Sequence, residues 1–326
     1  MMLILNDRTD AYFNLALEEY LLTHFDDNCI ALWRNGPSVI VGKNQNTLEE
    51  INRAFVEEHD IRVVRRLTGG GAVFHDEGNI NFTYIEACGA GRFNDYAHFT
   101  RDIIGFLKTF GVEAALSGRN DLTVDGKKFS GNAQCIRCGK ILHHGTLLFS
   151  ADLTDLVGAL NANPLKMESK GIKSVSSRVA NLADHLGVKM DAVEFKSRLE
   201  QYLLSVYDDL HAHELTPEDI AAVEALVREK YGTWAWNFGA SPEYNYKNAA
   251  RFEGGIVEVR LRVAGGVIRS ADISGDFFGA RDIGEVVKAL VGVRHEREQI
   301  ESALEGFDLG EYLSGVTRAE FIGLLQ

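Results

Sequence analysis

Residues 65 to 82 read RRLTGGGAVFHDEGNINF and bring two arginines directly before three consecutive glycines. Three glycines in a row cost backbone entropy on folding, so a chain keeps them where a Cβ atom would collide or where φ must be positive. Glycines also let backbone N–H groups approach an oxyanion, and a neighbouring arginine supplies bidentate charge. This stretch is therefore a candidate site for a phosphate or another small anion.

Three other stretches carry side chains that suit the same chemistry. They are residues 118–134 (GRNDLTVDGKKFSGNAQ), 142–153 (LHHGTLLFSADL) and 170–182 (KGIKSVSSRVANL). A lysine such as Lys128 supplies a mobile point charge, and a polar turn such as Asn120–Asp121 could hold a metal that bridges phosphates. Together with the apolar strand after His143 and His144, these stretches predict a pocket for a phosphate and an apolar group.

Each of these features also has a purely structural interpretation. A glycine triplet is often only a bend, and a lysine pair at a hairpin tip is usually a solvated surface. A histidine pair beside an apolar strand commonly packs against a core, and Asn-Asp is typical of turns. No single feature therefore predicts a function.

The elements that must position these side chains read as mixed α and β. The apolar and capping patterns predict helices over 9–24, 47–58 and 99–110, from Asp191, from Thr216 to about Gly232, from Asp282, from about Arg294 and from Thr317. Predicted strands cover 29–35 and 38–42, which should pair with each other, then 61–67 and 79–85. Because a strand and not a helix follows the glycines, a Rossmann fingerprint is excluded, and no GK[ST] supports a P-loop.

The character of the chain changes towards its carboxy terminus. IVEVRLRV alternates over eight residues, AGG turns the chain and VIRSADI returns, which predicts a half-buried antiparallel hairpin. We therefore predict a large domain over residues 1–245 and a small α+β domain over 251–326, with a linker around Ser241 to Asn248.

Composition limits the classes of partner. The net charge of −13 argues against broad binding of nucleic acid or anionic membranes, although a small anion in a locally basic pocket is compatible with it. The opening MMLIL is too short for a signal-peptide core, and no run approaches the ~18 apolar residues of a membrane span. We expect a cytoplasmic protein with no nucleic-acid or membrane partner.

The four cysteines are scattered, with Cys29 and Cys88 isolated and Cys135 and Cys138 forming CIRC. One CxxC is half of a zinc site, and adjacent histidines match the usual ligand spacing poorly. We interpret the pair as reduced structural thiols, with a redox pair and a metal site as alternatives.

The motifs in combination resemble one family. RRxxGGGAVFHDxGNxNF, SGRNDL, KxSGxAQ, HHGTLL and KGIxSVxSRVxNL occur in the order found in adenylating lipoate–protein ligases, and YFNLALEEYL, LWRN and WxWNFG also fit. The resemblance spans essentially the whole chain. It implies an α/β (α+β) fold, with a biotin/lipoate ligase-like large domain on a mixed sheet, distantly like class II aminoacyl-tRNA synthetases, and a small accessory domain.

The resemblance also implies an activity. Free lipoate and ATP with Mg²⁺ would give enzyme-bound lipoyl-AMP and pyrophosphate, and the lipoyl group would pass to one lysine of a carrier. The carriers would be lipoyl domains of 2-oxoacid dehydrogenase complexes and the glycine-cleavage carrier protein. A monomer is the expected state, and the accessory domain would support adenylation and then move aside.

The family's functional residues can be placed on this sequence through the matched motifs. The central lysine is Lys128. The implied ATP and lipoyl-AMP contacts are Arg66, Gly70, Gly71, Ala72, Val73, Phe74 and Lys128, with Ser174 and Ser176 in an adenylate-binding loop over 170–179. The candidate lipoate pocket is Trp33, His75, Ala133 and His144, with Val73 as a further wall, and the candidate Mg²⁺ ligands are Asn120 and Asp121.

Neighbouring functions differ in their sequence requirements. A biotin ligase would show a GRGRxG-type loop, which RLTGGG is not. A non-catalytic lipoate- or nucleotide-sensing module would be expected to lose Lys128 or the RRxxGGG run, and both are intact. An octanoyl or lipoyl acyltransferase of the same fold would use a positioned nucleophile, and Cys135 and Cys138 keep that alternative open.

Overall fold

The computed structural model describes residues 1–45, 47–89, 91–160, 178–238, 246–264 and 266–325. Its strands form one eight-stranded sheet and two three-stranded sheets. In the large sheet, strand β1 (Met2–Leu5) runs parallel to both of its neighbours, whereas the pairs at the centre of the sheet are antiparallel. The predicted α/β class on a mixed sheet is confirmed.

The strands of the large sheet are, in spatial order, β11 (His211–Glu214), β1, β2 (Cys29–Arg34), β6 (Asn79–Ala87), β10 (Lys140–Leu148), β9 (Lys127–Arg137), β8 (Asp121–Val124) and β7 (Ala114–Ser117). The helices are α1 (Ala11–His24), α2 (Thr47–Glu50), α3 (Arg53–Glu58), α4 (Tyr96–Lys108), α5 (Leu153–Ala159), α6 (Ala192–Val206), α7 (Pro217–Leu226), α8 (Trp234–Asn237), α9 (Gly284–Leu290), α10 (Arg297–Ala303), α11 (Leu309–Tyr312) and α12 (Arg318–Leu324).

Each face of the large sheet is covered by helices. The helices α4 and α6 bury their apolar faces on one side, and α1 packs on the other together with α7. Helix α1 begins where the sequence predicts, because the Asp10 side chain accepts hydrogen bonds from the backbone N–H groups of Tyr12 and Phe13. Helix α7 likewise begins after Thr216 as predicted, where the structure shows a capping box with Asp219, and a π-helical turn extends the helix over Val227–Tyr231 to Gly232.

A separate three-stranded sheet carries the glycine triplet. It consists of β3 (Ser38–Val41) between β4 (Arg62–Arg65) and β5 (Val73–His75), and the triplet connects β4 to β5. The predicted pairing of β2 with β3 is therefore wrong. The turn between them is held by the backbone N–H of Gly36, which donates to the carbonyl of Thr9 (2.8 Å), and it directs the chain from one sheet to the other.

The single helix predicted over 47–58 is also wrong, because it is divided into α2 and α3. Ile51 leaves the helical path to form a β-bridge with Leu160, and the Asn52 backbone N–H donates to the carbonyl of Ala159. The Asn52 side chain then caps α3. Pairing with a segment a hundred residues away thus overrides the local helical pattern.

The carboxy-terminal part has its own sheet and core. The strands β12 (Tyr246–Phe252), β13 (Gly255–Ala264) and β14 (Val267–Gly275) form an antiparallel sheet, and helices α9 to α12 cover it with buried apolar residues. The predicted hairpin corresponds to β13 and β14. Strand β12 begins inside the predicted linker, and residues 239–245 lie outside the described part, so the domain boundary stays a prediction.

The carboxy-terminal part touches both the glycine turn and the loop that follows strand β3. The Gly70 N–H donates to the carbonyl of Phe277 (3.3 Å), and the Gly275 N–H donates to the carbonyl of Asn44 (2.6 Å). A Cβ on Gly69 would lie 2.3 Å from the Phe277 carbonyl oxygen. One reason for consecutive glycines is therefore that another backbone passes against them.

No helix in the described residues is long and apolar enough to cross a membrane.

This contact predicts that Gly69→Ala loosens the junction without unfolding either core. The new methyl group meets backbone, which cannot rotate away, and such overpacking typically costs about 1–3 kcal/mol. We expect a larger radius of gyration in small-angle scattering and faster limited proteolysis of the folded protein. Gly187→Ala is the matched control, because a Cβ there meets nothing within 4 Å. An unchanged radius of gyration in Gly69→Ala would contradict the assigned role.

Candidate functional site

A cavity of about 520 Å³ lies where the large sheet, the glycine-bearing sheet and the carboxy-terminal part meet. That volume is typical of small-molecule sites. Its walls are lined by Leu15, Trp33, Ile40, Arg66, Gly70, Gly71, Ala72, Val73, His75, Asn81, Arg119, Asn120, Asp121, Lys128, Gly131, Asn132, Ala133, His144, Gly145, Thr146, Arg178, Arg251, Glu253, Gly255, Asp276 and Phe278. Most of the site residues predicted from the sequence therefore share one cavity.

The buried side chain of Arg66 stabilises the conformation of the glycine turn through hydrogen bonds. Its guanidinium is 5% exposed and donates to the carbonyls of Ile40 (3.1 Å), Gly69 (2.7 Å) and Gly71 (2.9 Å) and to the Thr68 hydroxyl (3.0 Å). Burial lowers the pKa of Arg66 to about 10, so the group stays cationic at neutral pH. These hydrogen-bond partners are all neutral, and the carboxylate that interacts electrostatically with Arg66 is that of Glu18.

The adjacent arginine, Arg65, has a different structural role. Arg65 donates through one terminal nitrogen to the carbonyls of Gly42 (2.9 Å), Lys43 (3.0 Å) and Gln45 (2.7 Å). It also donates to the carbonyl of Trp236 in helix α8 (3.1 Å). Arg65 is not among the cavity-lining residues, so it fixes the loop that contacts the carboxy-terminal part.

Four residues of the glycine turn, Gly70 to Val73, line the cavity, and the next one does not. Phe74 is buried beneath the turn in a second apolar cluster with Val39, Val41 and Val63. Successive residues of strand β5 point to opposite sides, which explains the difference. The predicted ligand contact of Phe74 could thus be made only by its backbone.

Lys128 reaches the cavity from strand β9. Its Nζ lies 2.7 Å from Asp121 Oδ1 on the neighbouring strand β8, and both side chains are roughly half exposed. A Cβ on Gly131 would lie 3.0 Å from Lys128 Nζ, so the glycine of the KxSG motif leaves space for the lysine side chain. The pair places a movable cation at the cavity wall.

Ser174 and Ser176 lie outside the described residues, but the end of their segment is described. The Lys128 N–H donates to the carbonyl of Arg178 (2.8 Å), and the Ala180 N–H donates to the carbonyl of Lys128 (2.9 Å). Val179 and Lys128 form a parallel bridge. The segment that follows residue 177 is therefore bonded to the peptide of Lys128 itself.

The two adjacent histidines of strand β10 face opposite sides of the sheet. His143 stacks on the Phe99 ring of helix α4 (centroids 4.7 Å apart), and burial lowers its pKa. His144 lines the cavity, where its Nδ1 lies 2.9 Å from the buried Glu18 carboxylate and its Nε2 lies 2.7 Å from Thr68 Oγ1. Alternation along a strand thus gives one histidine to the core and one to the cavity.

The other predicted pocket residues also line the cavity. Trp33 presents its ring there and donates from Nε1 to Thr83 Oγ1 (2.9 Å), while Ala133 provides a small wall on strand β9. His75 lies near Trp33, with ring centroids 6.2 Å apart. Large apolar, small and neutral polar surfaces therefore lie side by side.

The candidate metal ligands Asn120 and Asp121 are both at the cavity. The Asn120 Nδ2 donates to the carbonyl of Asn132, and Asp121 pairs with Lys128. Among the described residues, no group of three or more His, Cys, Asp or Glu side chains could hold a metal by itself. One carboxylate and one amide oxygen fit Mg²⁺ only when a substrate completes its oxygen ligands, as phosphates commonly do.

Several lining residues were missed by the sequence analysis. Asn81, Arg119 and Thr146 lie inside the motifs already quoted, so their positions were signalled although no role was assigned. Arg251 and Phe278 had no such signal, because they reach the cavity only through the docking of the carboxy-terminal part. The Arg119 guanidinium lies over the Phe278 ring, 4.2 Å from its centroid.

Comparison with known families agrees with this arrangement. Residues 10–204 match the lipoyl protein ligase A/B catalytic domain, and residues 241–325 match the bacterial lipoate protein ligase C-terminus. This chain belongs to the lipoate–protein ligase family. The resemblance seen in the motifs is confirmed.

Curated relatives of this family member match along nearly their full length. Lipoate-protein ligase LplJ of Bacillus subtilis is 43% identical over 97% of both chains. Lipoate–protein ligase 1 of Staphylococcus aureus is 42% identical over 98% of both chains.

Two solved structures share the fold. P. falciparum LipL1, crystallised in complex with lipoate, is 26% identical, covers 99% of this chain and 97% of its own, and superposes with a TM-score of 0.78. A lipoate-protein ligase A bound with ATP is 26% identical, covers 73% of this chain and 98% of its own, and gives a TM-score of 0.63.

The cysteines of this ligase bear on the acyltransferase alternative. All four are free among the described residues, and Cys135 is not among the residues that line the cavity. Desolvation raises the pKa of Cys135 to about 12, which suppresses the thiolate that a nucleophile needs. Cys138 is exposed at the turn after strand β9.

We predict that iodoacetamide at pH 8 alkylates the exposed Cys88 and Cys138 and leaves Cys135 unmodified in the folded protein. With a pKa of about 12, only about one Cys135 in ten thousand is a thiolate at that pH. Peptide mass spectrometry measures the modification, and all four cysteines should react in denaturant. Rapid alkylation of Cys135 without unfolding would contradict this assignment.

Proposed function

We propose that this chain activates free lipoate with ATP to lipoyl-AMP and transfers the lipoyl group to a lysine of a carrier domain. The observation that carries the proposal is the single cavity that combines an apolar wall at Trp33 and Ala133, a glycine turn held by Arg66, and Lys128. Relatives named lipoate–protein ligases match over nearly the whole chain, which supports the same activity here.

The first half-reaction joins two anions. A carboxylate oxygen of lipoate bonds to the α-phosphorus of ATP, the bond to the β-phosphate oxygen breaks, and pyrophosphate leaves. Charge neutralisation and positioning dominate such a step. We assign Lys128 to the meeting point of carboxylate and α-phosphate, because its flexible ammonium can exchange Asp121 for the substrates. Arg66 and the backbone of residues 70–74 would bind the nucleotide.

The second half-reaction consumes the mixed anhydride. The neutral amine of a carrier lysine attacks the acyl carbon, the bond to the phosphate oxygen breaks, and AMP leaves as the amide forms. Because the anhydride also reacts with water, the site must stay closed until the carrier arrives. We assign this covering role to the segment 170–179, including Ser174 and Ser176, whose end is bonded to Lys128.

The apolar acyl tail would lie along Trp33, Val73, Ala133, His75 and His144. Asp121, with Asn120, would hold Mg²⁺ together with the nucleotide phosphates. When bound there, Mg²⁺ would reduce the negative charge of the phosphates that the carboxylate must approach.

An acyltransferase without ATP is not favoured. Such an enzyme would need an activated nucleophile at the cavity, whereas the Cys135 thiol has a raised pKa and does not line it. The relatives that match over the full chain are ligases, including the carboxy-terminal part.

The partners follow from the same proposal. Lipoyl domains of 2-oxoacid dehydrogenase complexes and the glycine-cleavage carrier protein are the proposed acceptors. An archaeal relative, 27% identical over 75% of this chain and with a TM-score of 0.66, is described with its E2 lipoyl domain. We further propose a cytoplasmic monomer that uses neither nucleic acid nor membrane as a partner.

The activity is tested by lipoate-dependent ATP–pyrophosphate exchange and by Lys128→Ala. This variant should lose roughly 10²-fold or more in adenylation rate, because one positioned charge in the transition state is removed. Its melting temperature should change little, since the side chain is 42% exposed. Lys127→Ala is the matched control, as that side chain is exposed one residue away. Near-normal exchange by Lys128→Ala, or no exchange by the wild type, would overturn the proposal.

The two half-reactions should separate when the carboxy-terminal part is removed. We propose that residues 1–238 make lipoyl-AMP poorly, because Arg251, Glu253 and Phe278 no longer complete the cavity, yet transfer from lipoyl-AMP supplied ready-made. Ending the chain at Phe238 keeps Trp236 and Asn237 against Arg65 and avoids cutting strand β12. Full-rate adenylation by the fragment would show that the carboxy-terminal part is dispensable, and a folded fragment lacking both half-reactions would contradict the separation.

A further inference from the structure

A chain of buried asparagines leads from helix α1 to the cavity wall. The Asn14 Nδ2 lies 2.9 Å from three acceptors, the backbone carbonyls of Arg8 and Arg34 and Asn35 Oδ1, which share its two hydrogens. Because backbone carbonyls only accept hydrogen bonds, the orientation of the Asn14 amide is determined. Asn35 must then present its Oδ1 to Asn14 and its Nδ2 to His75 Nδ1, 3.1 Å away.

This orientation determines which nitrogen of His75 carries the proton. Asn35 Nδ2 can only donate, so His75 Nδ1 must accept. The residue is 2% exposed, and burial together with the positive charge of Arg66 lowers the pKa of His75 to about 3. The imidazole is therefore neutral above that pH, and its single proton lies on Nε2.

The Nε2–H group of His75 is an unpaired hydrogen-bond donor among the described residues. It is buried and has no hydrogen-bond partner in the part of the chain that the structure describes, although His75 lines the cavity. Buried N–H groups without a partner are rare because desolvation without compensation is unfavourable. Because His75 lines the cavity, this unpaired donor is a candidate contact for a bound ligand.

A second unpaired donor lies on the same wall. The Asn81 Oδ1 accepts from Asn79 Nδ2 (3.0 Å), which leaves Asn81 Nδ2 and Asn79 Oδ1 buried and without a partner among the described residues. Asn81 lines the cavity, and it lies directly across from Trp33 in the sheet. Since the Trp33 ring is also the neighbour of the His75 ring, Trp33 lies beside both donors.

We propose that His75 Nε2–H and Asn81 Nδ2–H form a subsite for an anionic oxygen of the bound substrates, with Asn14 and Asn35 as the residues that position His75. The ligand class is a phosphate or carboxylate oxygen, which reaches this cavity either from the nucleotide or from the acyl acid. The proposal rests on the proposed function and deepens it by adding two neutral donors to the charges of Arg66 and Lys128.

The charges around the subsite favour an anion over other ligands. Arg66 contributes a positive potential at His75, and the hydrogen-bond partners of its guanidinium are neutral. A cation would meet two N–H donors and a guanidinium, and a metal would need an unprotonated Nε2, which the relay from Asn14 prevents. An oxygen with free lone pairs can accept a hydrogen bond from either donor or from both.

The test compares two ligands and three variants of the full chain by calorimetry. One arm titrates ATP with Mg²⁺, and the other titrates lipoate. His75→Phe and Asn81→Leu keep most of the side-chain volume and remove the donors, so each should weaken one of the two ligands by about ten- to a hundredfold. His213→Phe is the matched control, since its buried Nε2 also has no partner but His213 does not line the cavity.

The outcomes separate the sources of the oxygen. A loss confined to the ATP arm assigns the subsite to a phosphate, and a loss confined to lipoate assigns it to the carboxylate. Wild-type affinity for both ligands in both variants would overturn the proposal and leave the two donors to a trapped water. A wild-type chain that binds neither ligand would instead contradict the proposed function.

A second measurement does not depend on any variant folding. A long-range ¹H–¹⁵N correlation spectrum of the wild-type protein should show His75 neutral with its proton on Nε2 from pH 5 to pH 8. On addition of the ligand whose affinity depends on His75, the Nε2–H signal should move while the tautomer is kept. A proton on Nδ1, or an unchanged signal at saturation with both ligands, would overturn the proposal.

Discussion

The buried guanidinium of Arg66 is the interaction on which the site depends. This guanidinium donates to carbonyls of strand β3 and of both ends of the glycine triplet, so the turn cannot relax without leaving buried N–H donors of a cation without acceptors. The tight turn in turn lets the carboxy-terminal backbone pass Gly69 and Gly70. Turn geometry and contact between the two parts of the chain are therefore consequences of one buried charge and the missing side chains beside it, and the proposed anion binding would depend on the same charge.

Local signals accounted for much of the fold. Helices α1 and α7 begin at the residues whose side chains cap them, because capping is decided within four residues of sequence. The errors arose where distant segments intervene. The break at Ile51 is set by Leu160, and the separation of β2 from β3 is set by Thr9 and by the second sheet. No pattern confined to residues 29–58 contains that information.

The residues of the site likewise divide into those that local motifs predict and those that depend on distant contacts. Motif residues such as Lys128, His144 and Ala133 could be predicted because their order along the chain resembles a family, and they do meet at one cavity. The unpaired donors of His75 and Asn81 could not be predicted from the sequence. The tautomer of His75 depends on the asparagines that position it, and whether an atom is unpaired depends on which hydrogen-bond partners the fold brings near it. Arg251 and Phe278 could likewise not be predicted, since only the docking of the carboxy-terminal part brings them to the cavity.

The opposite orientation of His143 and His144 has a consequence for how such a site can vary. The two residues share one peptide of strand β10, with an aromatic stack on helix α4 behind it and the cavity in front. Any exchange at Phe99 that raises or lowers the strand by a fraction of an ångström displaces His144 and Glu18 with it, since packed interiors transmit strain. Substitutions on the far face of the sheet can thus change the depth of the cavity, although none of the residues that line the cavity is exchanged.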